Sequence, residues 1–168
     1  MEKLQKEFLE SSVNYFWQNC SRIEKCFSEL SEEEIWEHPN GSTNSIANLT
    51  LHLCGNITQY IISTLGNNND LRDRDAEFSA DKNFTKAELL HKLKEVTKNA
   101  AAVAEGLSHE QLSSHYSVQG FKKSGVAIIV HVTEHYSYHT GQIVLHTKIL
   151  KDIDTGFYKG INLNKKNT

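Results

Sequence analysis

Apolar side chains recur at three- and four-residue steps in four separate stretches of this chain, the period that lays one stripe along one face of an α-helix. In the first stretch Leu4, Phe8, Phe16, Cys20, Ile23, Phe27 and Leu30 mark a long amphipathic helix. In the second, Ile46, Leu49, Leu53, Ile57, Tyr60 and Leu65 follow the candidate N-caps Ser42 to Ser45 and run to Gly66. The third opens on the capping box Thr85-x-x-Glu88 and carries Leu89, Leu93, Val96, Ala100, Val103 and Leu107. The fourth spans Val126 to Leu150, where Ile128, Ile129, Val132, Ile143 and Ile149 supply apolar contacts. Val126 to Val130 alone reads as a strand, but no partner strand is evident and the longer helical period decides.

The connections are uneven. Ser31-Glu-Glu-Glu34 is a capping-box pattern opening a short turn with Ile35 and Trp36, which His38-Pro39-Asn40-Gly41 stops. Asn67 to Phe84 has no sustained period and contains the charged run Arg72-Asp-Arg-Asp-Ala-Glu-Phe78. A connection of that length is a lid, a binding loop, a salt-bridged crossover or a disordered link, and its mixed charges leave the choice open. Ser108 to Leu112 predicts another short helical turn, Gly120 to Gly125 a loop, and the residues after Asp154 an irregular tail. Leu30-Ser-Glu-Glu-Glu-Ile before Leu51-His-Leu53 is echoed by Leu107-Ser-His-Glu-Gln-Leu before Val130-His-Val132, which pairs His52 with His131 as counterparts in two similar helical halves. Four long helices with one long crossover, between the second and third, predict an all-α four-helix bundle, a fold that builds sites between facing helices.

Composition narrows the function. A chain of 168 residues with 38% hydrophobic content suits one domain with a sizeable core, and its single proline, Pro39, permits uninterrupted helices. Eighteen basic against 21 acidic side chains give a formal charge of -3, which lacks the basic footprint of a nucleic-acid binder. No apolar run approaches the ~18 residues of a membrane span, and Met1 to Glu10 is charged rather than signal-like, so the expectation is a cytoplasmic protein without membrane partners. Cys20, Cys26 and Cys54 are odd in number and in no Cys-x-x-Cys arrangement, which argues for buried thiols over a disulfide framework or zinc knuckle.

Nine histidines are more than packing alone calls for, and four of them lie between 131 and 146. His131, His135 and His139 follow one another at i, i+4 steps, about 40° around a helix and about 6 Å along it. Two such rings can aim at one ion, whereas three in a row drift along the axis, so one pair with a partner from another helix is the expected set. His52 on the second helix, with His135 and His139, makes such a set: three neutral imidazoles that hold a divalent ion and leave a coordination position open. Hydrogen-bonded core or surface histidines are the competing reading. A further parse takes His131-Val-Thr-Glu134-His135 as the H-x-x-E-H pattern of inverted zinc peptidases with Glu134 as general base, but no Glu follows position 134 to complete that site.

The run His135-Tyr-Ser-Tyr-His139-Thr-Gly-Gln-Ile143 resembles the C-terminal signature of the DinB-like family, and Asn44-Ser-Ile-Ala-Asn-Leu-Thr-Leu-His52-Leu-Cys-Gly-Asn56 resembles that family's second-helix ligand segment. Pro39-Asn40, Gly55-Asn56, Arg72 to Phe78 and Tyr136 to Val144 extend the likeness, from about Leu30 to Leu150, to a DinB-related subfamily of small bacterial proteins. The resemblance implies a DinB-like bundle over residues 1–154 followed by a tail over 155–168, a zinc or nickel ion held by His52, His135 and His139, and a homodimer. His131 stays outside the ligand set, and Thr140 stands where many DinB-like proteins have Arg, which removes that group as an anion holder.

Characterised DinB-like enzymes include transferases and an isomerase that use low-molecular-weight thiols. The resemblance therefore implies a small-molecule substrate with a thiol cosubstrate, and a metal-dependent transferase as the candidate activity. A non-enzymatic metal or small-ligand binding protein and a metal-dependent hydrolase are the alternatives, and no catalytic side chain is assigned. Asn56, His131, Tyr136 and Gln142 are the candidates for hydrogen bonds to ligands or substrate. Tyr138 belongs with them by position.

Overall fold

The computed structural model describes residues 2–167 and turns the four stripes into four long helices: α1 (Glu2–Glu29), α2 (Ile46–Ile57), α4 (Lys86–Glu105) and α6 (Gly125–Lys151). Met1 and Thr168, the outer ends of the expected bundle and tail, lie outside the described residues. Two short helices, α3 (Arg74–Ser79) and α5 (His109–Ser113), sit in the connections, and a 3-10 turn at Glu34–Trp36 follows α1. An eight-residue π-helical segment, Thr58–Leu65, prolongs α2. The long helices pack in the cyclic order α1, α4, α2, α6, so that α2 faces α6 along one side of the bundle. This is the expected all-α four-helix bundle with its long crossover between α2 and α4.

Local chemistry sets the helix ends. Ser45, Thr85 and Ser124 each accept a backbone N–H three residues on, and Thr85 with Glu88 completes the capping box that the sequence predicts. Ser108 and Gln111 form a second box at α5. The apolar stripes meet in one core, with Phe16, Ile23 and Phe27 from α1, Leu53 and Ile57 from α2, Leu89 and Leu93 from α4, and Ile128, Ile129 and Val132 from α6, all buried. Each such side chain contributes about 1.5–3 kcal/mol relative to exposure.

Two expectations need correction. Residues 120–125 are not simply a loop: β1 (His115–Val118) and β2 (Phe121–Ser124) pair antiparallel around a Gln119-Gly120 turn in which both residues have positive φ. Four-residue strands carry too little alternation to show in a sequence, and the two-residue turn with left-handed backbone twists with the strands. Leu4 and Ile149 are exposed to solvent near the outer ends of α1 and α6, so neither supplies a core contact. The tail lacks helix or strand among its described residues, yet it is anchored: Thr155 is buried, Phe157 packs on the core, and Arg22 donates to Tyr158 Oη. No helix among the described residues is long and apolar enough to cross a membrane.

Candidate metal centre

Because α2 faces α6, His52 meets His135 and His139 across the helix pair, with one donor nitrogen from each ring lying within 4.8 Å of the other two. His135 Nε2 is 3.0 Å from His52 Nε2. The His139 ring stands edge-on to both, 4.9 Å from His52 and 4.4 Å from His135 between centroids. His131, the third member of the i, i+4 run, is not in this group: its ring stacks on His135 at 5.4 Å and faces Asn56 and Tyr60 one turn away. The drift of successive i+4 positions along the helix axis produces that separation.

The crossover orients His52. Its Nδ1 lies 2.9 Å from Glu77 Oε2, and Glu77 is gripped from the other side by Arg72, whose Nε and Nη2 donate to Oε1 and Oε2 at 2.7 and 2.9 Å. Burial raises the Glu77 carboxyl, but the hydrogen bonds and charges of Arg72 and His52 outweigh it and hold the group below its ordinary value. An ionised carboxylate only accepts, so Nδ1 of His52 is the donor in this contact, and in the neutral ring Nε2 is the lone pair. The 3.2 Å approach of Arg72 Nη2 to Nδ1 then brings two donors together and is no hydrogen bond. Arg72 spends its remaining arm on Gln59 Oε1, and Gln59 in turn donates to Asp70.

Two further residues place that carboxylate. The buried Asn48 amide donates to the backbone carbonyls of Glu77 and Ala80, both at 3.0 Å, tying the C-terminal half of α3 down onto α2. Gly55 leaves the space that the Glu77 carboxylate fills, since a β-carbon there would overlap Oε1. The Phe78 ring, covered by the Arg74 guanidinium, closes over His52 at 4.8 Å. The charged run Arg72 to Phe78 is therefore a salt-bridged crossover that also backs the histidine cluster.

His139 is set in a similar way. Gln142 Oε1 lies 2.6 Å from its Nδ1, so that nitrogen donates and Nε2 is bare. Burial pushes His139 below the ordinary imidazole value, against the raising effect of Gln142. His135 is driven down to about 3, first by burial and then by the neighbouring His139, His52, His131 and Arg72. His131 is also lowered, by burial and then by Lys123. The exposed Tyr138 stacks edge-on against His139 on the solvent side.

The donor set fits a divalent ion. Tetrahedral coordination at about 2.0–2.1 Å separates two nitrogens by roughly 3.3 Å, close to the 3.0 Å between His52 and His135. Without an ion, a hydrogen bond from His135 to the His52 lone pair satisfies that contact, and coordination would replace its proton. Carboxylate and amide partners on the outer nitrogens are the usual support of metal-binding histidines.

The remaining candidates divide. Gln142 and Asn56 border the cluster, Asn56 with its Nδ2 3.5 Å from His131 Nε2. Tyr136 turns the other way into the core, where its hydroxyl meets Thr97 Oγ1 at 3.0 Å. Glu134 is exposed and faces Tyr15 and Ser11 of α1 instead of the histidine cluster. Cys20, Cys26 and Cys54 are buried free thiols, each raised above its ordinary value chiefly by burial, Cys54 to about 12. Sequence reasoning missed Glu77, Asn48 and Gln59. The charged crossover was the one visible signal, and nothing in its order says which carboxylate turns inward.

A family model described as "Protein of unknown function (DUF1572)" matches residues 3–165. Among solved structures, a DinB-like protein from Bacillus subtilis, YjoA, aligns over 86% of this chain and 94% of its own, at 18% identity and a TM-score of 0.66. A DinB-like protein from Bacillus cereus aligns over 84% and 91%, at 11% identity and the same TM-score of 0.66. No curated protein matches the sequence.

Proposed function

From the premise that this chain belongs to the DUF1572 family, a DinB-like family, we propose that it holds one zinc or nickel ion on His52, His135 and His139 and uses it in transfer chemistry with a low-molecular-weight thiol. The observation that carries the reading is the convergence of donors: one nitrogen of each of the three rings lies within 4.8 Å of the other two, while Glu77 and Gln142 occupy the Nδ1 atoms of His52 and His139. Three nitrogen ligands leave a fourth position open, the arrangement of catalytic sites. When bound there, the ion supplies Lewis-acid stabilisation of a thiolate at neutral pH.

The protein's own residues prepare that position. Arg72 and Glu77 hold His52 in one tautomer, Gln142 does so for His139, and Phe78 covers one flank of the cluster from water. Tyr138 and Gln142, both exposed, contact His139 from the solvent side. The thiol must come from outside, because each cysteine of the chain is buried in the core with a raised pKa. Hydrolysis is less well supported: Glu77 is the one carboxylate bonded to the histidine cluster among the described residues, and its oxygens are engaged by Arg72 and His52. A cytoplasmic homodimer acting on a small-molecule substrate completes the proposal.

Metal-loaded protein incubated with a small thiol and an activated aryl halide tests the activity. Thioether formation above background that requires the thiol and stops on chelation is expected. Turnover without thiol would indicate hydrolysis instead. A protein that holds metal but turns over nothing, with every coordination position filled by its own side chains, would be a binding protein.

A further inference from the structure

The contacts between α2 and α6 run in rungs of opposite chain direction. His52 meets His135 and His139, Asn56 meets His131 one turn further along α2 and one turn back along α6, and Tyr60 packs on the other side of His131 at 4.4 Å. Adjacent rungs are one helical turn apart, about 5.4–6 Å. They touch, because the His131 ring stacks on that of His135.

The Asn56 rung is under-used. Asn56 is 3% exposed, and among the described residues its Oδ1 has no partner and its one polar approach is the 3.5 Å contact from Nδ2 to His131. Asn48, two turns earlier on the same helix and equally buried, shows what a structural amide looks like here: its Oδ1 accepts from Ser45 and its Nδ2 donates to backbone carbonyls. A buried acceptor left open is costly unless something fills it. The other unpaired buried atoms among the described residues, Asn19 Oδ1 and His146 Nε2, sit on α1 and two turns past His139 on α6.

We propose that Asn56 and His131 form a polar subsite beside the three-histidine centre, which takes the hydroxyl or amide of a small ligand whose other end occupies the open metal position. The inference rests on the metal reading above and adds the ligand class: a metal-binding group such as a thiol, with a hydrogen-bonding group about one helical turn away along a short chain. Tyr60, whose hydroxyl is tied to Gln119 of the hairpin turn, walls the far side of His131 and limits the chain length.

Cobalt-loaded protein titrated with 3-mercapto-1-propanol and with 1-butanethiol tests this. The two probes carry the same thiol on chains of equal length, with a hydroxyl in one where the other has a methyl. The sulfur-to-cobalt charge-transfer band reads binding of each. Replacing Asn56 by Leu is expected to leave about one cobalt bound and to lower the preference for the hydroxyl probe about tenfold relative to the parent. Asn56→Ala gives the same comparison should the Leu variant fail to fold. An unchanged preference in a variant that still holds cobalt overturns the subsite and leaves the metal reading standing. A parent that takes up no cobalt overturns both.

Discussion

Glu77 Oε1 occupies the space that a side chain on Gly55 would need, so the carboxylate behind His52 depends on a missing β-carbon one turn along the same helix. Gly55→Ala is expected to push Glu77 away from His52 Nδ1 and to weaken zinc binding about 10–100-fold, the usual effect of disturbing a ligand's outer partner. Competition with a chromophoric chelator measures it. Unchanged affinity would mean that Glu77 does not orient the ligand.

Arg72 and Glu77 form a pair whose side chains are 3% and 9% exposed. Glu77→Ala leaves a buried guanidinium without its counter-charge and is expected to destabilise the metal-free protein by roughly 3–5 kcal/mol. Urea denaturation checks this, and a loss below about 1 kcal/mol would place the pair in effective contact with solvent.

The three thiols give a prediction about reactivity. Cys54 is raised to about 12, and Cys20 and Cys26 also lie above their ordinary value, so the thiolate fraction is small at pH 8 and the sulfurs are shielded. A chromogenic disulfide reagent should label almost none of them in folded protein and three per chain in denaturant. Rapid labelling of the native protein would contradict the burial, and with it the need for an external thiol.

His146 is buried on α6 with its Nε2 unpartnered, and burial lowers its pKa below 6.5 against the opposing pull of Glu37 and with that of His38. The unfolded chain takes up a proton near pH 6.5 while the folded protein stays neutral there, so this contribution is whole above that pH and shrinks as the pH falls through it. The stability difference between His146→Leu and the parent should shift toward the variant between pH 8 and pH 5. A difference that is flat in pH would show that His146 is solvated.

Much of this was legible in the chain. The apolar stripes of Phe16 to Phe27 and Leu89 to Leu107 report helix period directly, and capping residues such as Thr85 and Glu88 act within one turn. His135 and His139 share a helix face by spacing alone, and His52 joins them as the partner from the second helix, a set that the resemblance also implies. What escaped was non-local or short. The inward turn of Glu77 depends on Asn48 and Gly55, more than twenty residues earlier, and the hairpin around Gln119 and Gly120 depends on a turn flanked by strands of four residues. Tyr136 shows the converse: it lies next to a cluster histidine in sequence, but successive helix positions point about 100° apart, which carries it into the core.

His52, His135 and His139 are expected to hold one divalent ion in a bundle that folds without it. Elemental analysis of zinc-equilibrated untagged protein, beside His135→Ala, tests it most directly. About one equivalent in the parent and little in the variant is expected, with the same helical circular dichroism in both. Equal zinc in parent and variant, or none in the parent, would contradict it.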